Sequence, residues 1–174
     1  MTRRGAWLVG VAVGILSRAG FATGQPAPPD RQPKEIVPLT RFAIGPGAFV
    51  EYSGINDSLR IVVRDSVTWR QTWERINAPF IPLPQRPAVD FDREMVVVAG
   101  MGRKPTGGYD LEIERAVEDS SGIEVLIKRT IPGDRCLLSA AVTQPVDLAR
   151  MPASSRPVRF REREQASPCG GRSE

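Results

Sequence analysis

Histidine is missing from all 174 residues. That absence excludes Ser-His-Asp and Cys-His nucleophilic catalysis, histidine-ligated zinc, and the side chain most often used as a general base near neutral pH. Lysine is scarce, at Lys34, Lys104 and Lys128 only, and no S-x-x-K occurs, so a serine-lysine hydrolase lacks its signature. Cysteine occurs twice, at Cys136 and Cys169, without the C-x-x-C spacing of a redox-active pair. The apolar stretch Ala6 to Leu16 is shorter than the roughly 20 residues of a membrane-spanning helix, so no span is expected in the mature form. No cysteine follows that stretch, which removes attachment as a bacterial lipoprotein.

What stands at the N-terminus has the layout of an export signal. Arg3 and Arg4 precede the apolar stretch, and small residues close it, so residues 1–24 are expected to be removed after Ala22 or Gly24. The destination is then periplasmic or extracellular. Taking Arg3, Arg4 and Arg18 from 24 basic residues leaves 21 against 20 acidic ones, a net charge of about +1. The basic pI thus belongs mostly to the signal, and neither nucleic acid nor an anionic membrane surface is an expected partner. Residues 25–34, with Pro26, Pro28, Pro29 and Pro33, read as an extended tether. Residues 35–170 have the length of one domain, and residues 171–174 form a tail. In an oxidising compartment Cys136 and Cys169 are expected to pair. The bond would constrain the unfolded chain by about 3.8 kcal/mol on chain-entropy grounds.

Within the domain, Ser58 to Val63 reads as a strand and Asp65 as the N-cap of a helix over Ser66 to Ile76. Trp69, Trp73 and Ile76 form one apolar stripe, leaving Arg70, Gln71, Glu74 and Arg75 to solvent. Trp69 and Trp73, one turn apart, are expected to anchor the core rather than to offer a ligand platform. Asn77, Pro79, Pro82, Pro84 and Pro87 then stop the helix and make a long connector. The unbroken apolar run Val96 to Ala99 suits a strand covered on both faces, whereas the segment from Tyr109 to Glu114 alternates apolar and acidic residues and suits one wet face. Ile123 to Arg129 returns as a hairpin, and pairing Val117 with Ile123 sets Glu112 opposite Lys128. After a turn at Pro132-Gly133-Asp134, further strands are expected over Cys136 to Thr143, Val146 to Met151 and Val158 to Arg163. The fold class is α+β: a mostly antiparallel sheet, curled or sandwich-like, with one amphipathic helix packed on it.

Between two of these strands lies Gly102-Arg103-Lys104-Pro105-Thr106-Gly107-Gly108-Tyr109. Gly107 and Gly108 offer positive φ, Pro105 holds Lys104 extended, and Arg103 and Lys104 put charge at the tip. A two-residue hairpin would suffice to join the flanking strands, and the surplus length marks Arg103 to Tyr109 as a candidate binding loop. Its glycine spacing is that of a P-loop, but Gly108-Tyr109 stands where Lys-Ser/Thr belongs and a strand follows, so it is not one. Asp90, Asp92 and Glu94 are the other cluster able to carry chemistry, as calcium ligands or as a hydrolase pair. A calcium loop counted from Asp90 would hold Met95 where glycine is required and Met101 where a carboxylate is required. These carboxylates read as a charged approach to the central strand, and no catalytic residue, metal or cofactor is assigned.

The order of a W-x-x-x-W helix (Trp69 to Trp73), V-D-F (Val89 to Phe91), an apolar strand, G-R-K-P-T-G-G-Y (Gly102 to Tyr109) and T-Q-P (Thr143 to Pro145) resembles the PrcB C-terminal domain family over about Glu51 to Val158. The loop with the preceding V-D-F is the specific part. The resemblance implies an exported bacterial domain named for a subunit of a protease complex, with no catalytic residues to carry over. It implies accessory or binding work on an envelope or secreted protein, a protease being the partner that the namesake suggests. A carboxylate-based hydrolase and a purely structural envelope protein are the alternatives.

Overall fold

The computed structural model describes residues 34–42, 51–134 and 136–167. The expected signal, all of the tether but Lys34, Cys169 and the tail lie outside the described residues.

Among the described residues, eight strands and one helix follow one another in the order β1 (Glu35–Val37), β2 (Thr40–Arg41), β3 (Ser58–Val63), α1 (Ser66–Ile76), β4 (Glu94–Met101), β5 (Asp110–Asp119), β6 (Gly122–Pro132), β7 (Val146–Pro152) and β8 (Val158–Ser167). They form two four-stranded sheets, β1-β5-β6-β8 and β2-β7-β4-β3. Every pairing is antiparallel except β6 with β8, which run parallel. The α+β expectation holds, in its sandwich form.

Three layers result: the β1-β5-β6-β8 sheet, the β2-β7-β4-β3 sheet, and α1 on the far side of the latter. Strand β4 is the shared wall. Its Met95, Val97, Ala99 and Met101 pack with Leu111 and Ile113 of β5 and with Val125 and Ile127 of β6, while Val96 and Val98 pack with Trp69, Trp73 and Ile76 of α1. A strand buried on both faces has no polar positions to alternate, which is why its sequence reads as a continuous apolar run.

Helix α1 begins where Asp65 accepts hydrogen bonds from the Val67 and Thr68 backbone N–H groups, at 3.0 and 2.8 Å, satisfying two of the four donors that a helix start leaves open. Trp69 and Trp73 are both almost wholly buried. Each indole N–H donates at 2.9 Å to a carbonyl of the proline connector, Trp69 to Pro87 and Trp73 to Pro84. Proline lacks an N–H but keeps its carbonyl, so a connector unable to join a sheet is fastened to the tryptophans through its carbonyl acceptors.

Three local expectations are corrected. Glu112 does face Lys128, but Val117 faces Glu124, because a bulge between Ile113 and Arg115 shifts the rest of β5 by one residue. Ala116 consequently takes an inward position beside Val125. The bulged backbone is secured from the opposite sheet: the buried Asp147 of β7 accepts from the Ile113 N–H at 2.6 Å, and Arg41 of β2 donates both to the Ile113 carbonyl and to Asp147. The expected strand from Cys136 to Thr143 does not form, and only a bridge between Thr143 and Lys104 remains of it. Leu137, Leu138 and Val142 stay exposed, so this stretch has no face with which to join either sheet. Finally, β8 extends to Ser167 and lies parallel to β6, an arrangement that no local signal announces.

Candidate functional site

The glycine loop joins β4 to β5, and these strands do not pair; they belong to facing sheets. Its length therefore has an architectural cause, since the chain must cross from one layer to the other, about 10 Å away, and a two-residue hairpin cannot do so. The surplus expected from the sequence is the cost of that crossing.

The loop is clamped along its whole length. Gly102 sits at φ +71°, where a Cβ would come within 2.9 Å of the Asn56 carbonyl oxygen. The Arg103 N–H donates to that same oxygen at 2.9 Å. Lys104 and Thr143 exchange both backbone hydrogen bonds, at 2.8 and 3.1 Å, and the Thr143 hydroxyl donates to the Thr106 carbonyl at 2.9 Å. The Gly107 N–H donates to the Ser139 carbonyl at 3.1 Å. Gly107 itself does not adopt positive φ; a Cβ there would lie 2.5 Å from the Ser139 Oγ, the end of a side chain that can rotate. Gly108, at φ +85°, is the conformationally demanding one, and it lies against Leu138 and Pro132.

T-Q-P supplies the other half of the clamp. Besides the Thr143 bonds, the Gln144 carbonyl accepts from the buried Ser53 hydroxyl at 2.8 Å, and the Pro145 carbonyl accepts from the Met101 N–H at 2.8 Å. Two motifs some forty residues apart thus form one platform, completed by residues 51–57. Sequence reading singled out both motifs without placing them together. It also missed the segment that connects them, for which the only signal was that Leu137-Leu138-Ser139-Ala140-Ala141-Val142 has neither strand nor helix alternation.

On this platform Arg103, Pro105 and Gly108 are exposed, Lys104, Thr106 and Tyr109 half-buried, and Gly107 buried. The Lys104 ammonium stands 5.7 Å from the centre of the Tyr109 ring, a cation-π distance. Leu137, fully exposed, and Leu138 and Val142 add an apolar margin.

The acidic cluster serves β4. Asp90 accepts at its side chain from the Asp92 N–H, at 3.2 Å, and at its carbonyl from Arg93 and Glu94, at 3.0 and 2.7 Å, forming the turn that delivers the chain into the strand. Glu94 lies 3.4 Å from Arg150 of β7. Of the three carboxylates, only Glu94 lines the neighbouring cavity of about 300 Å³, with Arg64, Phe91 and Met95. Among the described residues no three carboxylate or cysteine side chains are grouped as metal ligands would be.

Perturbed ionisation lies elsewhere: at the α1 N-cap, where the Thr68 N–H holds Asp65 down, at the β5–β6 turn, where the Ser121 hydroxyl does the same to Asp119, and on the outer face of the β1-β5-β6-β8 sheet. The hydrogen bond from Arg163 holds the Glu114 carboxyl below its ordinary value, and the hydrogen bond to Glu112 raises Lys128. These shifts record surface ion pairs, a helix cap and a turn, and no chemistry at the loop.

Fold and platform together define a small β-sandwich, backed by one helix, that presents a rigid crossover loop. Residues 95–152 match the PrcB C-terminal family, which bears out the resemblance and covers both the glycine loop and T-Q-P. The tryptophan helix and V-D-F fall outside the matched stretch. No curated protein matches the chain, and no solved structure does. Among the described residues no helix is long and apolar enough to cross a membrane.

Proposed function

We propose that this chain is an exported, non-enzymatic accessory domain that holds an envelope or secreted protein, a protease being the partner class that the family name suggests. The observation that carries the reading is that the Lys104–Thr143 and Gly107–Ser139 hydrogen bonds clamp together the two segments that carry the exposed Arg103 and the exposed Leu137, Leu138 and Val142. Rigid loops that present an apolar margin beside a cation can bind with little ordering cost. Asp90 and Glu94 are engaged in the turn and the ion pair that bring in β4, so no observation favours the hydrolase alternative.

Export and the disulfide belong to the same proposal. The Cys136 sulfur lies 3.9 Å from the Ser167 carbonyl oxygen, two residues before Cys169, which supports pairing of the two cysteines. The bond would tether Leu137 at one end of the apolar margin.

The decisive experiment is a pull-down from envelope and secreted fractions with the signal-free chain as bait, repeated with Arg103 and Lys104 both changed to Ala and with Leu137→Ser. A partner retained by the parent and held at least about tenfold more weakly by both folded variants is expected, a loss of about 1.4 kcal/mol. Equal capture by all three would remove the platform from the reading.

A further inference from the structure

Among the described residues, the longest open edge of the sandwich is that of β8. Terminal positions in the two sheets fall to β1, β8, β2 and β3, which span three, ten, two and six residues. Over residues 158–166, the backbone of β8 bonds to β6 and to no other element among the described residues. About half of its N–H and C=O groups therefore point outward, as the edge row that a further strand can join.

The side chains of β8 divide into two rows. On the inner row, Glu162 is committed to Arg60 and Arg129, and Glu164 to Arg129. On the outer row, Arg163 is taken by Glu114 and Arg159 by the Ser121 hydroxyl. Arg161 has no carboxylate partner among the described residues. Across the sheet it is aligned with Leu126 and then with Arg115, which makes no ion pair among the described residues and only helps, at longer range, to hold the neighbouring Glu114 carboxyl down, so Arg161 is the guanidinium of this row that no carboxylate engages.

Charged residues on an edge commonly guard against self-pairing, and these do. An antiparallel pairing of two β8 edges that keeps both outer faces on one side sets Arg161 opposite Arg163 in one register and Glu162 opposite Glu164 in the next. Like charges directly opposite one another destabilise such a pair. The same rows accept a strand of different composition. A segment with carboxylates at alternate positions would place them beside Arg159 and Arg161 and leave its other side chains on the inner side.

We infer that the outer edge of β8 takes up an acidic, extended peptide segment by strand addition, with Arg161 as the residue that selects for carboxylates. This site is separate from the loop platform and does not depend on it.

The test uses the full signal-free chain and a fluorescent peptide of about eight residues alternating valine with glutamate, a typical strand length. Anisotropy at low salt should show saturable binding. The same peptide with lysine for glutamate should bind at least about tenfold more weakly, as should the parent peptide to Arg161→Gln, a neutral change at an exposed position. A version N-methylated at alternate amides keeps its charge but cannot complete the ladder, and it should not bind. No binding of the glutamate peptide, or equal binding of the lysine or the N-methylated version, or an unchanged affinity in Arg161→Gln, overturns the proposal.

Discussion

Asp147 ties the two sheets together at the β5 bulge. It stands on the inner side of β7, nine-tenths buried, and one of its oxygens accepts from the Ile113 N–H where the β5 bulge opens the ladder. Changing Asp147 to Ala leaves that N–H without its acceptor, and strips Arg41 of its closest partner. Leaving a buried donor unsatisfied costs about 1 to 3 kcal/mol, so urea unfolding should show a loss in that range, while Asp147→Asn, which keeps an acceptor, should lose less. An Ala variant as stable as the parent would mean that water replaces the carboxylate. Among the loop glycines, the two adjacent positions differ in kind. Gly108→Ala meets positive φ and contact with Leu138, and should cost about 1 to 3 kcal/mol. Gly107→Ala meets only the Ser139 Oγ, the end of a side chain that can rotate, so pairing it with Ser139→Ala should restore most of what the single change loses. Double-mutant analysis of the pair checks this.

At the scale of elements, what could be read from sequence was what is local. The cap at Asp65, the stripe of Trp69, Trp73 and Ile76, and the doubly covered β4 are each announced within a dozen residues by spacing or by an apolar run. The β5 bulge, the parallel docking of β8 and the placement of β4 and β5 in different sheets are decided by partners far along the chain, and no residue near them reports it. The glycine loop shows the consequence: its residues were legible and its reason was not, because a layer crossing and a long hairpin look alike in sequence. The failed strand before Thr143 has the same origin, since strand-forming residues such as Val142 adopt the ladder only where an edge is open to them. Helix α1 is then the element whose energetics follow most directly from its residues. Trp73 fills the space over Val96 and Val98 and binds the connector through Pro84, so Trp73→Ala should cost about 3 to 5 kcal/mol. Trp73→Phe should retain most of the packing and lose the connector's hydrogen bond, and thermal unfolding of the two variants separates these contributions.

For the molecule as a whole, the absence of histidine gives stability a distinctive pH profile. Three carboxyl groups are held below their ordinary values in the folded state: Asp65 mainly by the Thr68 backbone N–H, Glu114 mainly by the Arg163 hydrogen bond, and Asp119 mainly by the Ser121 hydroxyl. The unfolded chain, with ordinary values near 3.8 to 4.5, therefore binds protons at a pH where the folded chain still does not. Unfolding takes up protons there, and stability rises with pH through that window; conversely, it is present above the unfolded values and lost as pH falls through the folded ones. Lys128 works in the opposite sense. Its folded value lies above the ordinary 10.5, so its contribution is full below that pH and is lost as pH rises through the folded value. With no imidazole to titrate between these limits, urea midpoints should form a plateau from about pH 5.5 to about pH 9.5, falling on the acid side. The Arg163–Glu114 pair is at the surface, so salt should shrink its share of the acid limb and leave the Asp65 and Asp119 shares, which rest on uncharged donors, largely in place. Glu114→Gln should shrink the limb further, and adding Arg163→Gln to that variant should change it little more, because the two side chains act as one pair. A step in stability near neutral pH, or an acid limb unaltered by Glu114→Gln, would show that these surface pairs do not set the profile.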